Sequence, residues 1–260
     1  MINKYKKKDK KTKVSPGRKI LMDGIDVVRK PDGFGVTLVD LSAAKTFIEQ
    51  YRKEKNVSIA YIHLIIKASA LALKKHPWVN YMLNGYKVIE PSTIDIGVSV
   101  AGEENVAPVV VIREADTKPL NVIAEEFKNK ANEAREEERE NLKKLNLIGK
   151  LIPFHFIRRK IIKLFFNNWK VRRKLVGTFQ VTTLSSKAME FFFPAVISTT
   201  ALLGVGGVKR RCIGVGDKIE LRPSVYLSIQ IDHRMLDGKK GIDFLKEIKR
   251  LLENPRELSD

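Results

Sequence analysis

Cysteine is nearly absent. Cys212 is the single one in 260 residues, which excludes an internal disulfide framework and any cysteine-cluster metal site. A reducing, cytoplasmic setting is the expectation. Long apolar runs are missing too: no stretch reaches the roughly 18 consecutive apolar residues of a transmembrane helix. The charged opening MINKYKKKDKKTKV is followed by no apolar core of a signal peptide. What the chain does contain, 43% hydrophobic residues, suffices for a sizeable buried core and excludes disorder as the main state.

Acidic residues are missing from two segments, and that explains the net charge of +19. Residues 1–19 carry a net +8, and residues 141–174 carry eleven Lys/Arg and no acid. Together they hold the whole excess, so the rest of the chain is neutral. This reads as a neutral domain (residues 15–258) with a basic tail (1–14) and a basic insert (141–174). Both attachments suit phosphates, an anionic surface or an acidic partner. No nucleic-acid-binding fold accompanies them, so nucleic acid is not the expected partner.

The periodicities predict a strand at 33–39, a helix from Asp40 or Ser42 to Lys55, and a helix at 58–75 that is apolar nearly all round and hence buried. His76-Pro77 stops it. Short strands are predicted at 87–90, 94–100 and 107–112, then a helix from Pro119 to Arg139. Within the insert, Ile157, Ile161, Leu164, Phe165 and Trp169 fall on one helical stripe, with Arg158, Arg159, Lys163, Lys170 and Arg173 largely away from it. Strands return at 176–184, 195–205 and 224–231. In the last, Val225, Leu227, Ile229 and Ile231 alternate with polar residues, which predicts one buried face. A closing helix from Lys239 carries Ile242, Leu245, Ile248 and Leu252. Strands and helices do not alternate strictly, so the expected class is α+β.

The informative stretch is SIQIDHRMLDGKKGIDFL, residues 228–245. His233 stands at the lip of a strand, and histidine is the side chain suited to proton transfer near neutral pH. Asp237 stands at an N-cap position four residues on. The His-x₃-Asp spacing lacks a third ligand, so no metal is expected.

HRMLDG resembles the His-x-x-x-Asp-Gly motif of the chloramphenicol acetyltransferase-like superfamily. With its flanks it resembles the signature of the acyltransferase components of 2-oxo acid dehydrogenase complexes. SPGRKI (15–20), KASALALKKHPWVN (67–80), IDIGVSV, APVVVIREADTKPL, GTFQVTTL (177–184) and LLENP follow in that family's order. The resemblance implies a two-layer mixed sheet with helices, a homotrimer, larger cages in some members, and coenzyme A as substrate. It implies His233 as the base for an attacking thiol, of coenzyme A or dihydrolipoamide. An imidazole near pKa ~6.5 and a thiol near ~8.5 differ by about 2 units, or about 2.7 kcal/mol, which positioning can offset. Thr182 matches the hydroxyl that stabilises the tetrahedral oxyanion. Asp237 matches the residue ordering the site, with Arg18 as its ion-pair partner. By that analogy the thiol attacks the thioester directly in a ternary complex.

Four departures from the family accompany these matches. No lipoyl or peripheral subunit-binding domain is recognisable ahead of residue 15, so the expectation is a stand-alone catalytic domain with no covalent lipoyl group on this chain. The insert 141–174 replaces a short link before GTF, and AGEENVAPVVV replaces an arginine-containing stretch. Ser185 stands where glycine is usual. The expected function is coenzyme A-dependent acyl transfer. The alternative is an acyltransferase-like scaffold or cage that organises partner enzymes or binds coenzyme A with little turnover.

Overall fold

The computed structural model describes residues 15–27, 32–100, 107–183, 188–195 and 198–259. The basic tail and Ser185 lie outside the described residues.

A mixed sheet of seven strands organises the chain: β1 (Asp32–Asp40), β4 (Ile96–Ser99), β5 (Val109–Ile112), β6 (Phe179–Thr183), β7 (Ala201–Val205), β8 (Lys209–Val215) and β9 (Lys218–Asp232). Their order is β1-β9-β7-β6-β4-β5, with β8 paired to the first half of β9. β6 runs parallel to both β4 and β7, and the other pairs are antiparallel. A separate hairpin joins β2 (Met82–Asn84) to β3 (Lys87–Ile89).

One face of the sheet is apolar. Phe179 and Val181, Leu203, and Leu227, Ile229 and Ile231 are buried there against a helical layer. That layer consists of α2 (Ser42–Lys55), α3 (Tyr61–Lys75), α4 (Leu120–Glu136) and α8 (Gly238–Glu253). Phe244 of α8 meets Phe179 edge-on at 5.3 Å between ring centroids. Helix α3 begins later than predicted, at Tyr61, where His63 Nδ1 accepts the Ala60 N–H at 3.1 Å. Its one buried cation, Lys67, donates to the Asp116 and Lys118 carbonyls.

Several sequence expectations change. β9 starts at Lys218 and is buried on both faces from Leu227 onward, because the 188–195 segment covers the second face and Ser228 Oγ donates to the Phe192 carbonyl. β8 carries no apolar alternation. It is held by pairing and by Lys209 and Arg211, which both bind Glu190. In α8 the buried stripe runs through Gly241, Phe244, Leu245 and Ile248, which turns Ile242 outward.

The insert and the residues flanking it form three helices: α5 (Glu138–Leu151), which opens with Glu138 and Glu140 ahead of the insert, α6 (His155–Asn167) and α7 (Trp169–Val176). α5 and α6 pack on α1 (Pro16–Val27). The predicted apolar stripe of α6 does not face inward. Leu164 and Phe165 are exposed, whereas Arg158 is buried with its Nε donating to Asp23 at 2.7 Å. At this contact α1 offers the Asp23 carboxylate, and the ion pair it makes brings Arg158 inside.

Candidate functional site

The start of β6 is built from the GTF residues. Gly177 has φ +78, and a side chain there would lie 2.3 Å from the Asp95 carbonyl oxygen. The Thr178 hydroxyl accepts the Asp95 N–H at 3.0 Å, and Phe179 enters the core. Asp95 is itself buried. Its carboxylate accepts from Arg113, Arg173, Thr93 and the Glu114 N–H. Burial raises its pKa, but these donors, Arg173 foremost, hold it below the usual carboxylate range. Two cations on one carboxylate thus fix where β6 begins, and with it the level of Thr182.

Thr182 is half-buried on the sheet's second face. It stands beside Ser99 of β4 and Gly204 of β7, with Ser228 in the next strand. One rung away on the same face are Gln180 and Gln230. This face mixes these polar residues with Phe34, Val36 and Leu202, and a strand threonine there presents its hydroxyl away from the helical layer.

His233 is positioned by a different device. Asp232 ends β9 with its N–H bonded to the Thr200 carbonyl at 2.8 Å. Its carbonyl accepts the Met235 and Leu236 N–H groups, which closes a tight turn. The Asp232 carboxylate is 1% exposed and takes Arg234 in a fork, Nε at 2.9 Å and Nη2 at 2.6 Å. Leu236, fully buried, pins the far side of the turn. His233 is left exposed between two immobilised neighbours, with its ring over β1. A side chain on Gly33 would come within 2.8 Å of His233 Cδ2 and 2.9 Å of Nε2.

Asp237 occupies the N-cap position of α8 in extended geometry, and its carboxylate makes no cap bond. His233 and Asp237 therefore share one turn. The Arg18 side chain lies outside the described residues, and so does its pairing with Asp237. Thr182 and His233 are apart within the chain. Thr182 is level with Ser228, five residues before His233, or roughly 17 Å along the strand and about 10 Å across two strands.

Sequence reasoning missed four residues of this region. Gly33 carries a readable signal, since glycine inside a strand marks a close approach. Asp232 and Arg234 flank the histidine and hold its turn. Arg172 of α7 is buried, and its guanidinium donates to the Ser198 carbonyl at 3.0 Å and to the Leu83 carbonyl. Burial and then the charge of Arg234 lower its pKa, while Asp232 opposes them. Nothing in the run VRRK distinguishes it from its neighbours. Among the described residues there is no cluster of three or more His, Cys, Asp or Glu able to hold a metal ion, and no helix is long and apolar enough to cross a membrane.

The mixed sheet with helices on one face is the chloramphenicol acetyltransferase-like fold. Chloramphenicol acetyltransferase itself superposes with a TM-score of 0.52 at 13% identity, over 92% of this chain and 96% of that one. The chain belongs to the 2-oxoacid dehydrogenases acyltransferase (catalytic domain) family, whose pattern it matches over residues 31–143 and 173–259. Residues 144–172 fall between the two matched blocks.

Among relatives, the dihydrolipoyllysine-residue succinyltransferase component of the 2-oxoglutarate dehydrogenase complex of Staphylococcus saprophyticus is 31% identical over 81% of this chain and 43% of its own length. The counterpart from Rickettsia typhi is 29% identical over 81% of this chain and 45% of its own length. The chain thus spans less than half the length of these relatives. Among solved structures, a probable dihydrolipoamide acetyltransferase from Listeria monocytogenes has a TM-score of 0.73 at 25% identity, covering 97% of both chains. Dihydrolipoamide acetyltransferase of Azotobacter vinelandii gives 0.74 at 20% identity, over 96% of this chain and 94% of that one. The cubic core of a pyruvate dehydrogenase multienzyme complex gives 0.73 at 21%, over 99% and 97%.

Proposed function

We propose that this chain transfers an acyl group between coenzyme A and a dihydrolipoamide-like thiol by direct attack in a ternary complex. His233 takes the proton from the attacking thiol. The sulfur forms its bond to the thioester carbonyl carbon, and the Thr182 hydroxyl donates to the resulting oxyanion. Collapse breaks the other carbon–sulfur bond, and the departing thiolate recovers the proton from His233. Asp237, with Arg18, orders the turn.

The observation that carries this reading is the way His233 is held. A turn locked by the Asp232–Arg234 fork and a side-chain-free Gly33 keep an exposed imidazole in one place, which is what proton transfer to a bound thiol requires. The separation of His233 from Thr182 supports a site completed by two chains, as a homotrimer or a larger cage would provide. In the Azotobacter vinelandii enzyme, crystallographic and enzymatic investigations concern the role of one serine, one histidine and one asparagine in the catalytic mechanism. That histidine and asparagine are four positions apart, as His233 and Asp237 are. The serine precedes the histidine by nearly the same number of residues as Thr182 precedes His233.

The test is acyl transfer from short acyl-CoAs to dihydrolipoamide. His233→Ala should lower turnover at least about a hundredfold with the circular dichroism spectrum unchanged. Thr182→Val should cost about 2.7–4 kcal/mol of transition-state stabilisation, and Thr182→Ser should retain most of the rate. A folded oligomer that turns over no acyl-CoA would overturn this mechanism in favour of the scaffold.

A further inference from the structure

Arg172 and Arg173 tie the end of the 141–174 insert to the site region, but α5 and α6 take no part in the proposed chemistry, and their surface is unusual. Helices α5 and α6 each pack on α1, and their connection, residues 152–154, is tied to that contact by Arg158, which donates to the Ile152 and Pro153 carbonyls. At that corner Leu151, Phe154 and Phe156 are each more than half exposed. Leu164 and Phe165 extend the same apolar character along α6, at 68% and 57% exposure. Lys150, Lys160 and Lys163 are exposed around these side chains. The whole segment holds eleven Lys/Arg without one acid.

The side of α6 that does pack is charged, through Arg158 and Asp23. Ile161, Ile162 and Phe166 are half-buried, while Phe156, Leu164 and Phe165 stay outward among cations. Two copies meeting through this face would bring like charges together, so a second copy is a poor occupant. A bilayer of anionic lipid satisfies both halves of the surface at once. Phenylalanine and leucine side chains enter the acyl boundary while lysines reach the headgroup phosphates.

We infer that the corner between α5 and α6 docks this protein on the surface of an anionic membrane, with Leu151, Phe154 and Phe156 as the inserting side chains and the surrounding lysines as headgroup contacts. The docking is peripheral and reversible, and it does not depend on turnover at His233.

The test is flotation of the full chain with vesicles of phosphatidylcholine containing phosphatidylglycerol, and with phosphatidylcholine alone. Co-flotation is expected only with the anionic vesicles. It should weaken as salt is raised toward 1 M, where the screening length falls from about 10 Å to about 3 Å. The combined variant Leu151→Glu, Phe154→Glu, Phe156→Glu and the combined variant Lys150→Gln, Lys160→Gln, Lys163→Gln should each reduce partitioning at least about tenfold. Because all six positions are exposed, both variants should keep the wild-type circular dichroism and sedimentation. Three outcomes would overturn the inference: no flotation of the wild type, flotation indifferent to the corner substitutions, or a corner variant that changes the oligomeric mass and leaves flotation alone. The last would assign the face to contacts between copies.

Discussion

Helices α3 and α6 have similar lengths, 15 and 13 residues, and both are rich in isoleucine, leucine and cationic side chains. Helix α3 lies between α4, α8 and the sheet and buries ten of its residues. It even brings in Lys67, whose ammonium is met by two carbonyl oxygens. Helix α6 packs chiefly on α1 and α7 and buries one residue, an arginine. The difference teaches that apolar content does not by itself orient a helix. A sheet or a facing helical stripe supplies an apolar partner for α3, whereas α1 supplies a carboxylate for α6.

The comparison breaks most sharply at Phe244, which fills the layer that α3 shares with α8. Phe244→Ala should destabilise the domain by about 3–5 kcal/mol, measured by urea denaturation. A loss under about 1 kcal/mol would mean that this layer is looser than its burial implies. On the α6 side, Asp23→Ala leaves the Arg158 charge with only the Ile152 and Pro153 carbonyls, and about 3 kcal/mol should be lost locally. Hydrogen exchange should then rise in α1 and α6 first, with α3 still protected. Simultaneous loss in all three would unite the regions contrasted here.

His63 sharpens the same contrast through pH. Burial lowers its pKa from 6.5 to about 4. Below pH ~6.5 the unfolded chain gains a proton that the folded chain refuses. Stability is therefore full above that pH and falls by up to about 3 kcal/mol as pH approaches 4. Denaturation of wild type and His63→Asn at several pH values checks this, and parallel curves would refute it. The smallest effect belongs to exposed Leu164: Leu164→Ala should change stability by no more than about 0.5 kcal/mol, and a cost of 2 kcal/mol would show that its face is covered.

Much of the fold was legible because its elements obey local rules. Pro77 ends α3, and the repeating apolar positions mark α3 and most of α8. GTF marks β6. Strand β8 was invisible, because KRRCIGV alternates no apolar face and is held by pairing with β9. Tyr226, Ser228 and Gln230 read as a solvent face, and the 188–195 segment covers them. At the site, His233, Asp237 and Thr182 could be singled out by motif, while Arg172 and the Asp232–Arg234 fork could not, since cations and carboxylates in a sequence do not state their partners.

The sequence by itself determined the α+β class, the strand that ends just before His233, the neutral domain and the acid-free insert, all of which follow from composition and short-range periodicity. Only the tertiary structure decided that Gly33 underlies the histidine, that Thr182 stands far from it in the same chain, and that α6 buries Arg158 while Leu164 and Phe165 stay outward. Those outcomes depend on which surfaces meet across the fold, and burial and pairing between distant segments set them.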